Sequence, residues 1–171
     1  MAFSFEGLHE PLLAVIAANE TAFRSGKVNV SGVEVPFDAE FIARKLASRG
    51  NEYATATIAR VLEHLVQDPT NHIVLRFKTA DNPDVIHIDS AVMEFIRKRE
   101  FDVIMETGGF DAQFISDQLG LGRHYVAGAL HRLAEDHKNF LGLINATSDN
   151  PAPRRDYGVS RDTEYAAAVA G

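Results

Sequence analysis

The sequence predicts a mainly α-helical protein with short β-hairpins, laid out as two similar units in tandem. Three observations carry this. Apolar residues recur at helical spacing through most of the chain up to Asp136. Short alternating apolar runs, bounded by turn residues, occur in only a few places. And one ten-residue segment is found twice: Phe37 to Leu46 (Phe-Asp-Ala-Glu-Phe-Ile-Ala-Arg-Lys-Leu) lies over Phe110 to Leu119 (Phe-Asp-Ala-Gln-Phe-Ile-Ser-Asp-Gln-Leu), identical at six of ten positions.

The elements follow in order. Leu8 to Ser25 reads as a helix, with Leu8, Leu12, Leu13, Val15, Ile16 and Phe23 close to helical spacing. Pro11 suits its first turn, where the missing N–H costs nothing, and Gly26 is a natural stop. Val28 to Val35 alternates around Ser31-Gly32 and fits a short strand, a small hairpin or a loop. Asp38 is placed as the N-cap of a helix carrying Phe41, Ile42 and Leu46, which ends near Arg49-Gly50-Asn51. A second helix runs from Tyr53 to Gln67, with Ile58, Val61, Leu62 and Leu65 on one face. His72 to Lys78 and Val85 to Ile88 read as a hairpin, because Ala80 to Asp84 between them is a turn sequence.

Asp89-Ser90 then caps a helix from Ala91 to Thr107, broken by Gly108-Gly109. Asp111 starts a helix over Ala112 to Leu119, Gly120 to Gly122 make a turn, and Arg123 to Asp136 is helical again. Phe140 to Ile144 fits a short strand. From Ala146 to Gly171 the composition shifts to Ser, Asp, Asn, Pro, Arg and small residues, which reads as a flexible tail with a weak helix near Glu164 to Ala170. The expected organisation is therefore one unit over 1–89, a second over 90–145 and a tail over 146–171.

The duplication extends past the ten-residue segment. Ile58, Val61, Leu62 and Leu65 lie over Val126, Ala129, Leu130 and Leu133, and the offset drops from 73 to 68 because the first copy has five more residues between its helices. Each unit reads as helix, helix, turn, helix, strand. The first has a full hairpin after its last helix, and the second a stunted or missing one.

Composition excludes several classes. With 46% hydrophobic and 24% charged residues, the 171-residue chain has enough apolar mass to build a core. The absence of Cys removes disulfide scaffolds, thiolate metal sites and thiol nucleophiles. No run of about 18 apolar residues is found, so no membrane span is expected. Met1 to Glu6 has neither a basic nor an apolar leader region, and a cytoplasmic protein is expected. There is no phosphate loop, no dinucleotide fingerprint, no His-Glu-x-x-His and no nucleophile elbow. His124 and His131 share a helix with only Glu135 or Asp136 as local carboxylates, and His137 nearby. The expectation is a protein without catalytic activity, cofactor or metal.

The segment Ile115-Ser-Asp-Gln-Leu-Gly-Leu-Gly-Arg-His-Tyr-Val-Ala-Gly-Ala-Leu-His-Arg-Leu133 resembles the helix-turn-helix segments of bacterial repressors, and is similar to the winged-helix class of transcription regulators. Ser116 is small where the two helices meet, Gly120 stands where the turn needs left-handed backbone, and Ile115, Leu119, Leu121, Val126 and Ala129 fall at the packing positions. The first copy departs from the pattern, with Ala47 in place of the turn glycine and a long link to Thr57.

The resemblance implies two winged-helix-like units that bind double-stranded DNA, with the second helix of the pair in the major groove. In the second copy the implied contacts are Gly122, Arg123, His124, Ala127, Gly128, His131 and Arg132. Arg123 would suit guanine, and no acid occurs between Leu119 and Leu133. In the first copy they are Arg49, Asn51, Thr55, Thr57 and Arg60, with Arg76 and Lys78 on the hairpin. Arg97-Lys98-Arg99 is a further basic cluster. A transcriptional regulator is the expected function, as a homodimer through the exposed parts of Leu8 to Phe23. The alternative is a protein-interaction module without base reading. It is favoured by the net charge of −7 and by a hairpin tip with two acids and no base.

Overall fold

The structure, a computed structural model, describes residues 6–79, 81–144 and 149–156. Among them lie eight α-helices and three two-stranded antiparallel sheets. They divide into two compact units, one ending at Ala91 and the other starting at Val92. No described helix is long and apolar enough to cross a membrane.

The first unit opens with α1 (Glu6–Ala18) and α2 (Glu20–Ser25) where the sequence predicts one helix. The break is at Asn19. Its N–H is shared between the Val15 and Ile16 carbonyls, and its side-chain Nδ2 donates back to the Val15 carbonyl at 2.8 Å. Such back-bonding competes with the helix ladder. The segment that left strand, hairpin or loop open is a hairpin, β1 (Lys27–Val30) with β2 (Val33–Pro36). Ser31 and Gly32 both take positive φ, 52° and 82°, as a two-residue turn with the right twist requires.

Next come α3 (Ala39–Ser48) and α4 (Thr55–Val66), then β3 (Ile73–Phe77) and β4 (Pro83–His87). Asp38 caps α3 by accepting the Phe41 N–H at 2.9 Å. Phe37 and Asp38 also lie against β4, with the Val85 N–H donating to the Phe37 carbonyl at 2.8 Å. The helix faces close over one core, in which Leu12, Ile42, Ile58, Val61 and Leu62 have no exposed surface. Leu8, Leu12, Val15, Ile16 and Phe23 are all spent in this core. The outer side of α1 is left with small and charged residues such as Glu10, Ala14 and Ala17.

α5 (Ile88–Lys98) spans the division, and the second unit continues with α6 (Glu100–Ile104), α7 (Ala112–Leu119), α8 (Arg123–Glu135), β5 (Leu141–Ile144) and β6 (Ala152–Arg155). The helix predicted over Ala91 to Thr107 is thus two. The break at Arg99 repeats Asn19: φ and ψ are −117° and 34° against −121° and 35°, and the Arg99 N–H is again shared, between the Phe95 and Ile96 carbonyls. Here the guanidinium stabilises the corner by lying 5.4–5.8 Å from the Phe95, Phe110 and Phe114 rings and pairing with Asp102. Val92, Ile96, Val103, Ile115, Val126, Ala129 and Leu130 are fully buried.

β6 corrects two expectations. The second copy has a full hairpin, with Leu141 opposite Arg155 and Ile144 opposite Ala152. The flexible tail cannot begin at Ala146, since residues 149–156 are built into the second unit. The weak helix expected near Glu164 to Ala170 lies outside the described residues.

The two units share their hydrogen bonds as well as their apolar pattern. Asp68 and Asp136 each accept an N–H two residues on, from Thr70 and Lys138. Asn71 and Asn139 each donate to a carbonyl six residues back, Leu65 and Leu133, at 2.9 Å. His72 and Phe140 then both turn left-handed, with φ of 55° and 50°, before β3 and β5 begin.

Candidate nucleic-acid interface

The α7–α8 pair is set by its turn. Gly120 takes φ of 67°, ends α7 in the left-handed region and lets the Leu121 N–H reach the Ser116 carbonyl at 3.1 Å. Ser116 is buried at 3%, small enough for the helices to meet. Gly122 precedes α8 in a tight space, where a Cβ would stand 3.1 Å from the His124 and Tyr125 rings. Those two rings lie against each other at 3.9 Å between centroids.

Arg123 and His124 are exposed at the first turn of α8, and Gly128, His131 and Arg132 are half-buried along it. Ala127 is a correction. It is 3% exposed and packs into the unit's core, so it cannot face a base. The Arg132 guanidinium reaches back along the helix, with Nη1 3.3 Å from where a Cβ on Gly128 would be. Arg123 is held from two sides: Nη1 donates to Gln113 Oε1 at 3.3 Å, and Nη2 to Asp149 Oδ2 at 3.4 Å.

In the first unit the turn glycine is Gly50, with φ of 89°, and the helix runs on past Ala47 to Ser48. Arg49, Asn51 and Arg60 are exposed, and Thr55 and Thr57 are half-buried. Beside them an open cleft of about 490 Å³ is lined by Glu40, Arg44, Glu52, Tyr53 and Thr55 among others. Arg44 is already paired with Glu40 at 2.6 Å. This surface carries Glu40 and Glu52 among its bases, whereas α8 has no acid before Leu133.

Arg76 and Lys78 have a different partner from the one expected. Arg76 Nη2 lies 2.9 Å from Asp84 Oδ2; Lys78 Nζ lies 2.7 Å from Asp84 Oδ1 and 3.6 Å from Asp38 Oδ2. Both carboxylate side chains are under a tenth exposed, and the hydrogen bond to Asp84 pushes the Lys78 ammonium above its usual pKa. The two cations neutralise buried charge in their own unit. The cluster Arg97-Lys98-Arg99 is divided too, since Lys98 pairs with Glu94 and Arg99 with Asp102. Among the described residues, no group of three or more His, Asp or Glu side chains is arranged to hold a metal ion.

Asn82 and Asn150, to which sequence reasoning assigns no site role, also shape these surfaces. Asn82 Nδ2 donates to Asp38 Oδ2 and its Oδ1 accepts the Glu40 N–H; Asn150 does the same for Asp111 and Gln113. The signal is the tripeptide Asp81-Asn82-Pro83, repeated as Asp149-Asn150-Pro151 at the offset of 68 that relates α4 to α8. Arg154 is exposed on β6, and Arg155 binds Glu100, whose carboxyl is thereby held below the usual range. No family model matches the chain, and no curated protein or solved structure is significantly similar to it.

Proposed function

We propose that the chain is a DNA-binding regulator, of transcription in the simplest case, built as two winged-helix-like units and presenting α8 to the major groove. The observation that carries the reading is the α7–Gly120–α8 pair, with Arg123 and His124 exposed at the start of α8 and no carboxylate between Leu119 and Leu133. Arg154 on the neighbouring hairpin adds a cation of the kind that contacts phosphate.

The test is retention of a random double-stranded DNA pool at low and moderate salt, followed by sequencing of the retained fraction. Binding that weakens steeply with salt and enriches a motif supports the reading. Palindromy in the motif would report a homodimer. Arg123→Ala should lower specific affinity by about 1–3 kcal/mol. No retention even at about 50 mM salt rejects it.

A protein-interaction module is the second reading. It is favoured by α6 and the residue after it, where Phe101, Ile104 and Met105 are 73%, 53% and 61% exposed.

A further inference from the structure

We infer that Arg123 sets the base preference of the second unit, and that Gln113 and Asp149 are positioning residues that aim its guanidinium. The inference rests on the DNA-binding reading and assigns the specificity of that same surface. A free arginine side chain samples many rotamers, whereas bidentate recognition of guanine needs the planar fork in one orientation. Here two acceptors from separate elements converge on one guanidinium: Gln113 from the first turn of α7 and Asp149 from just ahead of β6.

The first acceptor is itself fixed. Gln113 donates its Nε2 to Asp117 Oδ1 at 2.8 Å, which turns its Oε1 toward Arg123. The Asp149 side chain is 68% exposed, and its backbone is placed by its neighbour Asn150, whose side chain is anchored to Asp111 and to the Gln113 backbone. These contacts use one N–H on each terminal nitrogen of a group with five donors, so the remaining donors can meet an acceptor outside. The side chain is 43% exposed, enough to be reached.

The first unit keeps the scaffold and lacks the reader. At the matching positions it has Thr55 for Arg123, Glu40 for Gln113 and Arg44 for Asp117, and Glu40 is bound to Arg44 instead. Base preference is therefore assigned to the second unit alone.

The test compares motifs selected from a random duplex pool by the full chain and by three variants. The wild type should enrich guanine at one position. Arg123→Lys, and the pair Gln113→Ala with Asp149→Ala, should lower that preference about tenfold while leaving the other positions of the motif unchanged. Asp149→Asn keeps an acceptor oxygen and should retain the preference. A double variant whose preference matches the wild type overturns the inference. If the wild type retains no DNA, the functional reading has failed. The positioning claim is then decided in the free protein, by nitrogen relaxation of the Arg123 Nε–Hε group. Order present in the wild type and lost in the double variant supports it, and equal order in both overturns it.

Discussion

Asn150 and Asp111 grip each other across 39 positions of chain, with Nδ2 of the one donating to Oδ2 of the other at 3.2 Å while Asn150 Oδ1 accepts the Gln113 N–H at 2.9 Å. The same clasp joins Asn82 to Asp38 and Glu40. Each binds the strand end of a hairpin to the cap of a helix. Asn150→Ala should cost about 1 kcal/mol, the net worth of a hydrogen bond or two at a half-wet site. Asn82→Ala should cost more, about 2 kcal/mol, because Asp38 is only 6% exposed and its carboxylate is harder to rehydrate. Urea unfolding of the two variants gives the order directly, and the reverse order would remove burial as the reason.

Lys78 separates a structural from a DNA-binding role for the first hairpin. Its ammonium sits between two buried carboxylates, so Lys78→Ala leaves Asp84 and Asp38 undercompensated. Arg76 still pairs with Asp84 and Lys78 is 42% exposed, so the expected loss is about 1–2 kcal/mol of stability in the first unit. On the proposed DNA-binding reading, the dependence of affinity on salt should not change, since an ammonium committed to two buried carboxylates is not available to a phosphate. A reduced salt slope in a folded variant would restore Lys78 to the interface.

His87 gives the fold a pH dependence. It is 9% exposed, its ring edge meets Phe23, and its Nδ1 accepts the Ser90 N–H at 3.1 Å at the start of α5. Burial, then Arg24 and His72, push its pKa from 6.5 down to about 4 against the opposing pull of Asp89 and Glu20. Between those values the unfolded chain binds the proton and the folded chain does not. The stabilisation is therefore full above about 6.5 and is lost as the pH falls toward about 4, by roughly 1–3 kcal/mol. His87→Asn keeps an acceptor for the Ser90 N–H without the titration. Its stability should fall less steeply than the wild type's from about pH 7 to about pH 4.5, and parallel curves would exclude His87 as the source.

What the sequence revealed and what it hid have physical reasons. α7 was legible to the residue, because Asp111 and Gly120 are unambiguous ends and the apolar spacing between them is regular. The breaks at Asn19 and Arg99 were hidden, since apolar residues continue in register across them, from Ile16 to Phe23 and from Ile96 to Val103. β6 was hidden because four residues that include Pro153 show no alternation, and their pairing is carried by backbone. At the candidate site the exposure of Arg123 and His124 was readable from helical position. The commitment of Lys78 to Asp38 was not, because it joins residues forty positions apart.

Arg155 shows how much of the second unit depends on the strand that sequence patterning missed. Its guanidinium binds both oxygens of Glu100 at the head of α6, and its Nη1 donates to the Asn139 carbonyl at 3.0 Å. One side chain, 13% exposed, thus ties α6, the turn after α8 and β6. Arg155→Met keeps length and apolar stem but removes all of these bonds. Glu100 is 38% exposed and can rehydrate, so the loss should be moderate, about 2 kcal/mol. Arg155→Lys should recover only part of it, because an ammonium cannot span the carboxylate and reach Asn139 in the same fork. A double-mutant cycle of Arg155→Met with Glu100→Gln isolates the pair, and a coupling below about 0.5 kcal/mol would place the weight on the β5–β6 ladder instead. Because Arg155 lowers the Glu100 pKa, this coupling is present above the usual carboxylate range and should fade as the pH drops through the folded value.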